Sequence, residues 1–240
     1  MLTPYKNNKS GKKEQVALMF NNIARRYDFL NHFLSLGIDK IWRRKTIKTL
    51  KGIASNPILL DVASGTGDLA ITALKLNPKK IIGIDISEEM LRFGAEKIKK
   101  RNLENIISLQ KGDSENIEFA NDFFDGVTVA FGVRNYENLN KGLSEMHRVL
   151  KPNGKIAILE FSKPKSFPVK QIYNFYFKSI LPLIGRLVSK DNAAYTYLPE
   201  SVRQFPERDL FIEELMKVGF KKCSFTLLSF GIATIYSAKK

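Results

Sequence analysis

Apolar residues at Val16, Met19, Phe20, Ile23 and Tyr27 recur every three or four positions, which predicts helix from about Glu14 to Lys51. After Pro57 the period changes. ILLDV (58–62) is an apolar run of strand length, Gly67 to about Leu76 reads as helix, and KKIIGID (79–85) as a second strand. Ser87 suits an N-cap, and the helix it opens runs to about Lys100. Glu88 and Glu89 fall in its first turn, where the helix dipole favours negative charge. Strands at 106–110 and 124–131, a helix at 138–150, a Pro-Asn-Gly turn and the strand KIAILEF (155–161) complete the series. Strands alternating with helices of this length predict a parallel sheet covered on both faces.

The pattern changes after Phe161. Residues 167–190 are rich in aromatics and read as a helix interrupted at Pro182, with Lys170, Lys178, Arg186 and Lys190 spaced along it. A helix at 207–217 follows. CSFTLL and IATIYSA, separated by Ser229, Phe230 and Gly231, then predict a terminal antiparallel hairpin. The chain divides into a disordered basic tail (1–13) and one domain (14–240). That domain comprises an N-terminal helical segment (14–51), an alternating core (57–161), an insertion (162–206), and a final helix and hairpin (207–240).

The net charge is +15, with 28 Lys against 11 Arg. Bidentate base readout relies on arginine, so this balance argues against a nucleic-acid reader and leaves a lysine-rich surface, an anionic membrane or an acidic ligand. Cys223 is the only cysteine, so no internal disulfide forms and a reducing cytoplasm is expected. No apolar run reaches 18 residues, although 167–190 could rest on a bilayer surface. Two histidines, His32 and His147, and no cysteine cluster argue against a metal site.

LLDVASGTGDLA (59–70) joins a strand to a helix through a glycine-rich turn. Gly65 and Gly67 allow a tight turn and close approach to a ligand. Asp85 ends the next strand, where its carboxylate can accept both hydroxyls of a ribose. Taken alone, the turn fits any nucleotide-like cofactor. Asp61 and Asp68, with Asp113-Ser114 after the third strand, would repel a pyrophosphate and suit a cationic cofactor. S-adenosylmethionine is therefore favoured over NAD. A second anomaly is VTVAFGVRN (127–135), a buried strand ending in Arg134 and Asn135 beside Phe131 and Val133. This mixture suggests a mainly apolar pocket with a few placed polar groups.

Tyr27-Asp28-x-x-Asn31 with Ser35, Gly37 and Trp42-Arg43, the Asp61–Asp68 loop and Gly83-Ile-Asp85-Ile-Ser87 with Met90-Leu91 form a recognisable set. Phe131–Asn135, Leu159-Glu160-Phe161-Ser162, and Tyr195-x-Tyr197-Leu198-x-x-Ser201 with Phe205-Pro206 extend it. With these motifs the chain resembles the ubiquinone/menaquinone biosynthesis C-methyltransferases from about Val16 to its C-terminus. The resemblance implies a Rossmann-like class I S-adenosylmethionine-dependent methyltransferase, with a mostly parallel seven-stranded sheet, a terminal antiparallel hairpin and an N-terminal helical lid. It implies methyl transfer to a ring carbon of a reduced, prenylated quinone, demethylmenaquinol to menaquinol. A ubiquinone-pathway, phenol or sterol methyltransferase is the alternative, and a non-catalytic membrane- or RNA-binding module a more distant one.

The resemblance also implies cofactor contacts at Thr66, Asp85, Asp113 and Ser114. The full candidate cofactor set is Asp61, Gly65, Thr66, Gly67, Asp85, Ile86, Asp113 and Ser114. The catalytic candidates are Arg134, to stabilise a phenolate, Asn135, to orient a hydroxyl or water, and Tyr27, to close the pocket. The expected setting is cytoplasmic and peripheral to the membrane, with no nucleic acid and with a homo-oligomer as one option.

Overall fold

The computed structural model describes residues 2–176, 179 and 192–240. Its strands are β1 (Ile58–Val62), β2 (Lys80–Asp85), β3 (Ile107–Lys111), β4 (Phe124–Ala130), β5 (Leu150–Phe161), β6 (Lys221–Leu228) and β7 (Ala233–Lys239). They form one sheet in the order β3-β2-β1-β4-β5-β7-β6. Strands β1 to β5 are parallel, and β7 runs antiparallel between β5 and β6. Successive strand residues face opposite sides. Leu59 accordingly joins Ile81, Ile107, Ala70 and Ile98 on one face, while Leu60 joins Val127, Ile156, Leu143 and Phe211 on the other. Both faces are covered, so β1 is apolar throughout except for Asp61.

The helices are α1 (Lys12–Leu34), α2 (Ile38–Thr49), α3 (Asp68–Ala73), α4 (Glu88–Lys100), α5 (Leu139–Val149), α6 (Val169–Phe175), α7 (Asn192–Gln204) and α8 (Asp209–Lys217). The sheet order reverses between β1 and β4, which opens a crevice at their C-terminal ends, the usual ligand position in such sheets. Helix α1 lies across this edge. Asn21 on α1 accepts from the hydroxyl of Ser87 (2.7 Å) and the backbone N–H of Glu89 (3.2 Å), which ties α1 to the start of α4.

Three expectations differ from the structure. The helix expected over 14–51 is two helices, because Leu36 (φ 51) and Gly37 (φ 75) are left-handed and turn the chain between α1 and α2. The Pro-Asn-Gly turn lies inside β5, as a register shift where Leu150 pairs with Phe124 and Lys155 with Gly126. The basic tail is not loose. Pro4 is buried, and Gln15 accepts from the Tyr5 N–H (2.9 Å) and donates to the carbonyls of Asn8 (3.1 Å) and Ser10 (2.8 Å). Lys12 and Lys13, assigned to that tail, form the first turn of α1. In the aromatic segment, α6 is described, whereas Lys178, Pro182, Arg186 and Lys190 lie outside the described residues.

Candidate functional site

The loop after β1 starts at Ala63 (φ 52) and passes through Gly65 (φ 54) and Gly67 (φ 80) into α3. Its backbone is fixed by Asp85. The Asp85 carboxylate accepts from the N–H of Gly65 (2.8 Å) and of Ser87 (2.8 Å). Burial pushes the Asp85 pKa up, and these backbone donors oppose the shift. A Cβ at Gly65 would meet Met90 Cε at 3.3 Å in addition to needing a left-handed backbone, so glycine suits this turn.

A narrow cleft of about 60 Å³ lies over the loop, lined by Gly65, Asp85, Ile86, Asp113, Ser114 and Gly132. Lys13 of α1 closes one end, with its ammonium 2.6 Å from Asp113. Five of the eight cofactor candidates line the cleft. The other three sit beside or behind it. Asp61 is fully buried and accepts from the Thr128 hydroxyl (2.7 Å); burial raises its pKa to about 7. The hydroxyl of Thr66 donates to Asp28 on α1 (2.5 Å) and accepts from Lys97 (3.0 Å), and Gly67 caps α3. The four carboxylates of the sequence argument therefore do not converge. Asp85 and Asp113 face the cleft, whereas Asp68 pairs with Lys97 (2.8 Å) and lies near Arg43 (3.8 Å) and His32 (3.4 Å).

A cavity of about 390 Å³ adjoins the cleft. Its walls include Met19, Ile23, Trp42, Phe161, Ile172 and Tyr197, so it is mainly apolar. Phe20, Tyr27, Phe131 and Asn135 line both spaces and mark where they meet. Phe131 holds this junction in a left-handed conformation (φ 59), a sparsely populated state for a bulky residue that packing must maintain. Its ring stacks on Phe161 (centroids 4.3 Å apart, 26° between planes), and Trp42 packs against both. Gly132 follows because a Cβ there would lie 2.6 Å from that of Ala63.

The polar groups are few and held. Arg134 donates to Glu160 (2.7 Å) and to the Phe131 carbonyl, and its guanidinium lies 5.5 Å from the Phe161 ring centre. Glu160 is fully buried; burial raises its pKa and Arg134 opposes the rise. Arg43 bonds Asp39 and lies 5.8 Å from the Phe131 ring centre. Asn135 donates to the Phe131 carbonyl (3.4 Å), and its buried Oδ1 has no protein partner. Burial pushes the Tyr27 phenol up. Arg134, Asn135 and Tyr27 thus come together at the junction. The sequence reading gave no role to Glu160, Asp39, Arg43 or His32. A lone Glu at the end of the buried strand KIAILEF, and Asp39 and Arg43 four apart on one helix face, were the available signals.

The chain matches the family model described as the ubiE/COQ5 methyltransferase family over residues 8–240. It is similar to a demethylmenaquinone methyltransferase of Bacteroides fragilis, with 50% identity covering 100% of this chain and 97% of that protein. It is also similar to a ubiquinone/menaquinone biosynthesis C-methyltransferase UbiE of Geotalea daltonii, with 47% identity covering 95% of this chain and 97% of that one. Among solved structures, a Haemonchus contortus phosphoethanolamine N-methyltransferase in complex with S-adenosyl-L-methionine overlays with a TM-score of 0.61. That overlay covers 89% of this chain and 59% of the other at 16% identity, a likeness of fold.

Proposed function

The chain belongs to the ubiE/COQ5 methyltransferase family, and we propose that its two adjoining spaces hold the methyl donor and the methyl acceptor of one reaction. It is an S-adenosylmethionine-dependent C-methyltransferase that converts demethylmenaquinol to menaquinol. The cofactor supplies an electrophilic methyl group on a sulfonium. Gly65, Asp85, Ile86, Asp113 and Ser114 hold it in the narrow cleft, with Asp85 on the ribose and Asp113 with Ser114 at the adenine. The donor set fits: two carboxylates, one already oriented by two backbone N–H groups, suit hydroxyl and amine donors better than a pyrophosphate.

One observation carries this assignment. The acceptor cavity meets the cleft at Tyr27, Phe131 and Asn135, so a ring seated against Phe131 has its edge at the cofactor cleft. Such positioning supplies roughly 7–11 kcal/mol of barrier reduction in well-oriented reactions. Arg134 stabilises the phenolate as the ring carbon becomes nucleophilic, and Asn135 Oδ1 accepts from a substrate hydroxyl or a water. Tyr27 closes the junction from α1.

We place the enzyme at a bilayer surface when it takes its prenylated substrate. No helix among the described residues is long and apolar enough to cross a membrane. Support comes from the rim of the acceptor cavity. Leu36 (84% exposed), Ile38 and Ile172 line it, and the exposed Phe175, Phe230 (79% exposed), Lys40 and Lys170 each directly neighbour a lining residue in the chain.

The test is methyl transfer from labelled S-adenosylmethionine to chemically reduced short-chain demethylmenaquinone, with a reduced demethylated ubiquinone precursor in parallel. Labelled menaquinone as the main product supports the reading. Cofactor binding without transfer to either quinol would overturn it.

A further inference from the structure

Methylating a hydroquinol requires a group to take its hydroxyl proton, and the acceptor cavity offers few. Its described lining contains two arginines, four tyrosines and one carboxylate, that of Asp39. The arginines stay protonated and the phenols are weak acids, so neither serves as a base at neutral pH. Asp39 Oδ1 accepts from the Ser35 hydroxyl (2.7 Å), while Oδ2 meets His32 Nδ1 (2.8 Å) and accepts from Arg43. A carboxylate has about four acceptor positions, so these three contacts leave one for a substrate hydroxyl.

Further charged groups surround Asp39. His32 Nε2 lies 3.4 Å from Asp68, which Lys97 pairs at 2.8 Å, and Lys97 also pairs Asp28 at 2.5 Å. Three carboxylates from α1, α2 and α3 therefore face two cations, Arg43 and Lys97, with His32 between them. Ligand atoms of His32, Asp39 and Asp68 lie within 4.8 Å of one another, but Arg43 and Lys97 already supply the cations there, so the trio is not read as a metal site.

We propose that Asp39, oriented by His32, Ser35 and Arg43, is the base that takes the hydroxyl proton of the hydroquinol. The inference rests on the methyltransferase reading above and adds the proton's destination. The hydroxyl proton passes to Asp39, and the ring carbon beside the new phenolate forms the bond to methyl. The sulfonium–methyl bond breaks with its electron pair on sulfur. The ring carbon then releases its hydrogen to water as a proton, and Asp39 returns its own to the oxygen. One methyl enters and one proton leaves. Burial alone would raise the Asp39 pKa, but the Ser35 hydrogen bond and the charges of Arg43 and His32 bring it below the usual carboxylate value. The base is thus ionised throughout the neutral range, and Arg43 and Arg134 lower the cost of forming the phenolate.

The experiment is the pH dependence of kcat/KM with short-chain demethylmenaquinol for the full-length wild type, Asp39→Asn and Asp39→Ala. The wild type should be flat from about pH 6 to 8, because its base is ionised and no hydroxide is needed. Asp39→Asn should fall by about 10²–10³-fold and climb about tenfold per pH unit, with S-adenosylhomocysteine affinity unchanged. Formate should partly restore Asp39→Ala, which a merely structural loss would not allow. A wild-type profile that itself climbs tenfold per unit would overturn the proposal without any variant having to fold. So would an Asp39→Asn enzyme that parallels the wild-type profile. Absence of wild-type turnover would instead overturn the substrate reading, and this inference with it.

Discussion

Arg134 is fixed at two points, by the buried carboxylate of Glu160 and by the Phe131 carbonyl, and only 7% of its side chain is exposed. It can therefore serve both the chemical step and the fold. Arg134→Ala should lower kcat and kcat/KM together by about 10²–10³-fold, the usual loss when a donor to developing charge is removed. It should also destabilise, because Glu160 is left buried without a counterion, at a cost of about 3–5 kcal/mol. Single-turnover transfer by the folded fraction separates the two effects, and a wild-type rate there would leave Arg134 a structural corner. Arg134→Lys should recover only part of the rate, since the planar fork is lost. Asp61 gives a pH-dependent case. Its pKa rises from 3.8 unfolded to about 7 folded, so the folded state holds its proton more tightly. The associated stability is present below pH 3.8 and lost as pH rises through 7. Asp61→Asn escapes that loss, so its melting temperature relative to wild type should increase steadily across this window, by an amount equivalent to about 4 kcal/mol at most. Equal melting curves at pH 5 and pH 8 would show that Asp61 is not desolvated as its burial implies. FGVRN was legible because large polar groups at the end of an apolar strand are out of place. Its partner Glu160 sits 26 residues away, a pairing that only the sheet register reveals.

Helix α1 borders the narrow cleft with Lys13, whose ammonium lies 2.6 Å from Asp113 and 3.9 Å from Glu115. Lys12 reinforces the contact by donating to the Tyr136 carbonyl (2.6 Å). Lys13 lines the cleft beside Asp113, so this pair has to open if the cofactor is to reach Asp113. The Lys13 pair is about one-third exposed on both sides and contributes at most about 1 kcal/mol. Lys13→Gln should accordingly speed S-adenosylhomocysteine binding by up to about fivefold in stopped flow, with little effect on methyl transfer once the cofactor is bound. An unchanged association rate would mean that the first turn of α1 does not gate entry. Periodicity marked α1 as helical and the family resemblance implied a lid there, yet Lys12 and Lys13 fell in a tail because two lysines carry no period. The same limit hid α7, since Pro199 breaks the local pattern. Its buried Ala194, Tyr197 and Ser201 nevertheless keep helical spacing, and they pack once the lid is present.

At the scale of the whole molecule, alternation of strands and helices made the sheet legible, because each period reports a local face. Which faces meet across the crevice depends on contacts distant in sequence, and so the Asp39–His32–Asp68 cluster and the joined cavities were not legible. The charge of +15 takes on a more specific meaning beside the exposed rim. The exposed Lys40 and Lys170 directly follow the cavity-lining residues Asp39 and Val169 in the chain, and Leu36 and Ile172 of the lining are themselves exposed. Cations near an anionic bilayer contribute about 1 kcal/mol each and inserted apolar side chains add to this, so the rim should bind anionic liposomes better than neutral ones and release them in high salt. Replacing both Phe175 and Phe230 with Asp should cut liposome flotation about tenfold or more, since it exchanges inserted hydrocarbon for two like charges facing the lipid. The same double variant should keep its turnover of a short-chain, water-soluble quinol, because neither residue is assigned to the junction where methyl passes. Its turnover of a long-chain quinol presented in vesicles should fall with flotation. If the wild type stays in the unbound fraction on anionic vesicles, the rim is an entrance for substrate already in water, and the charge has no part in delivering it.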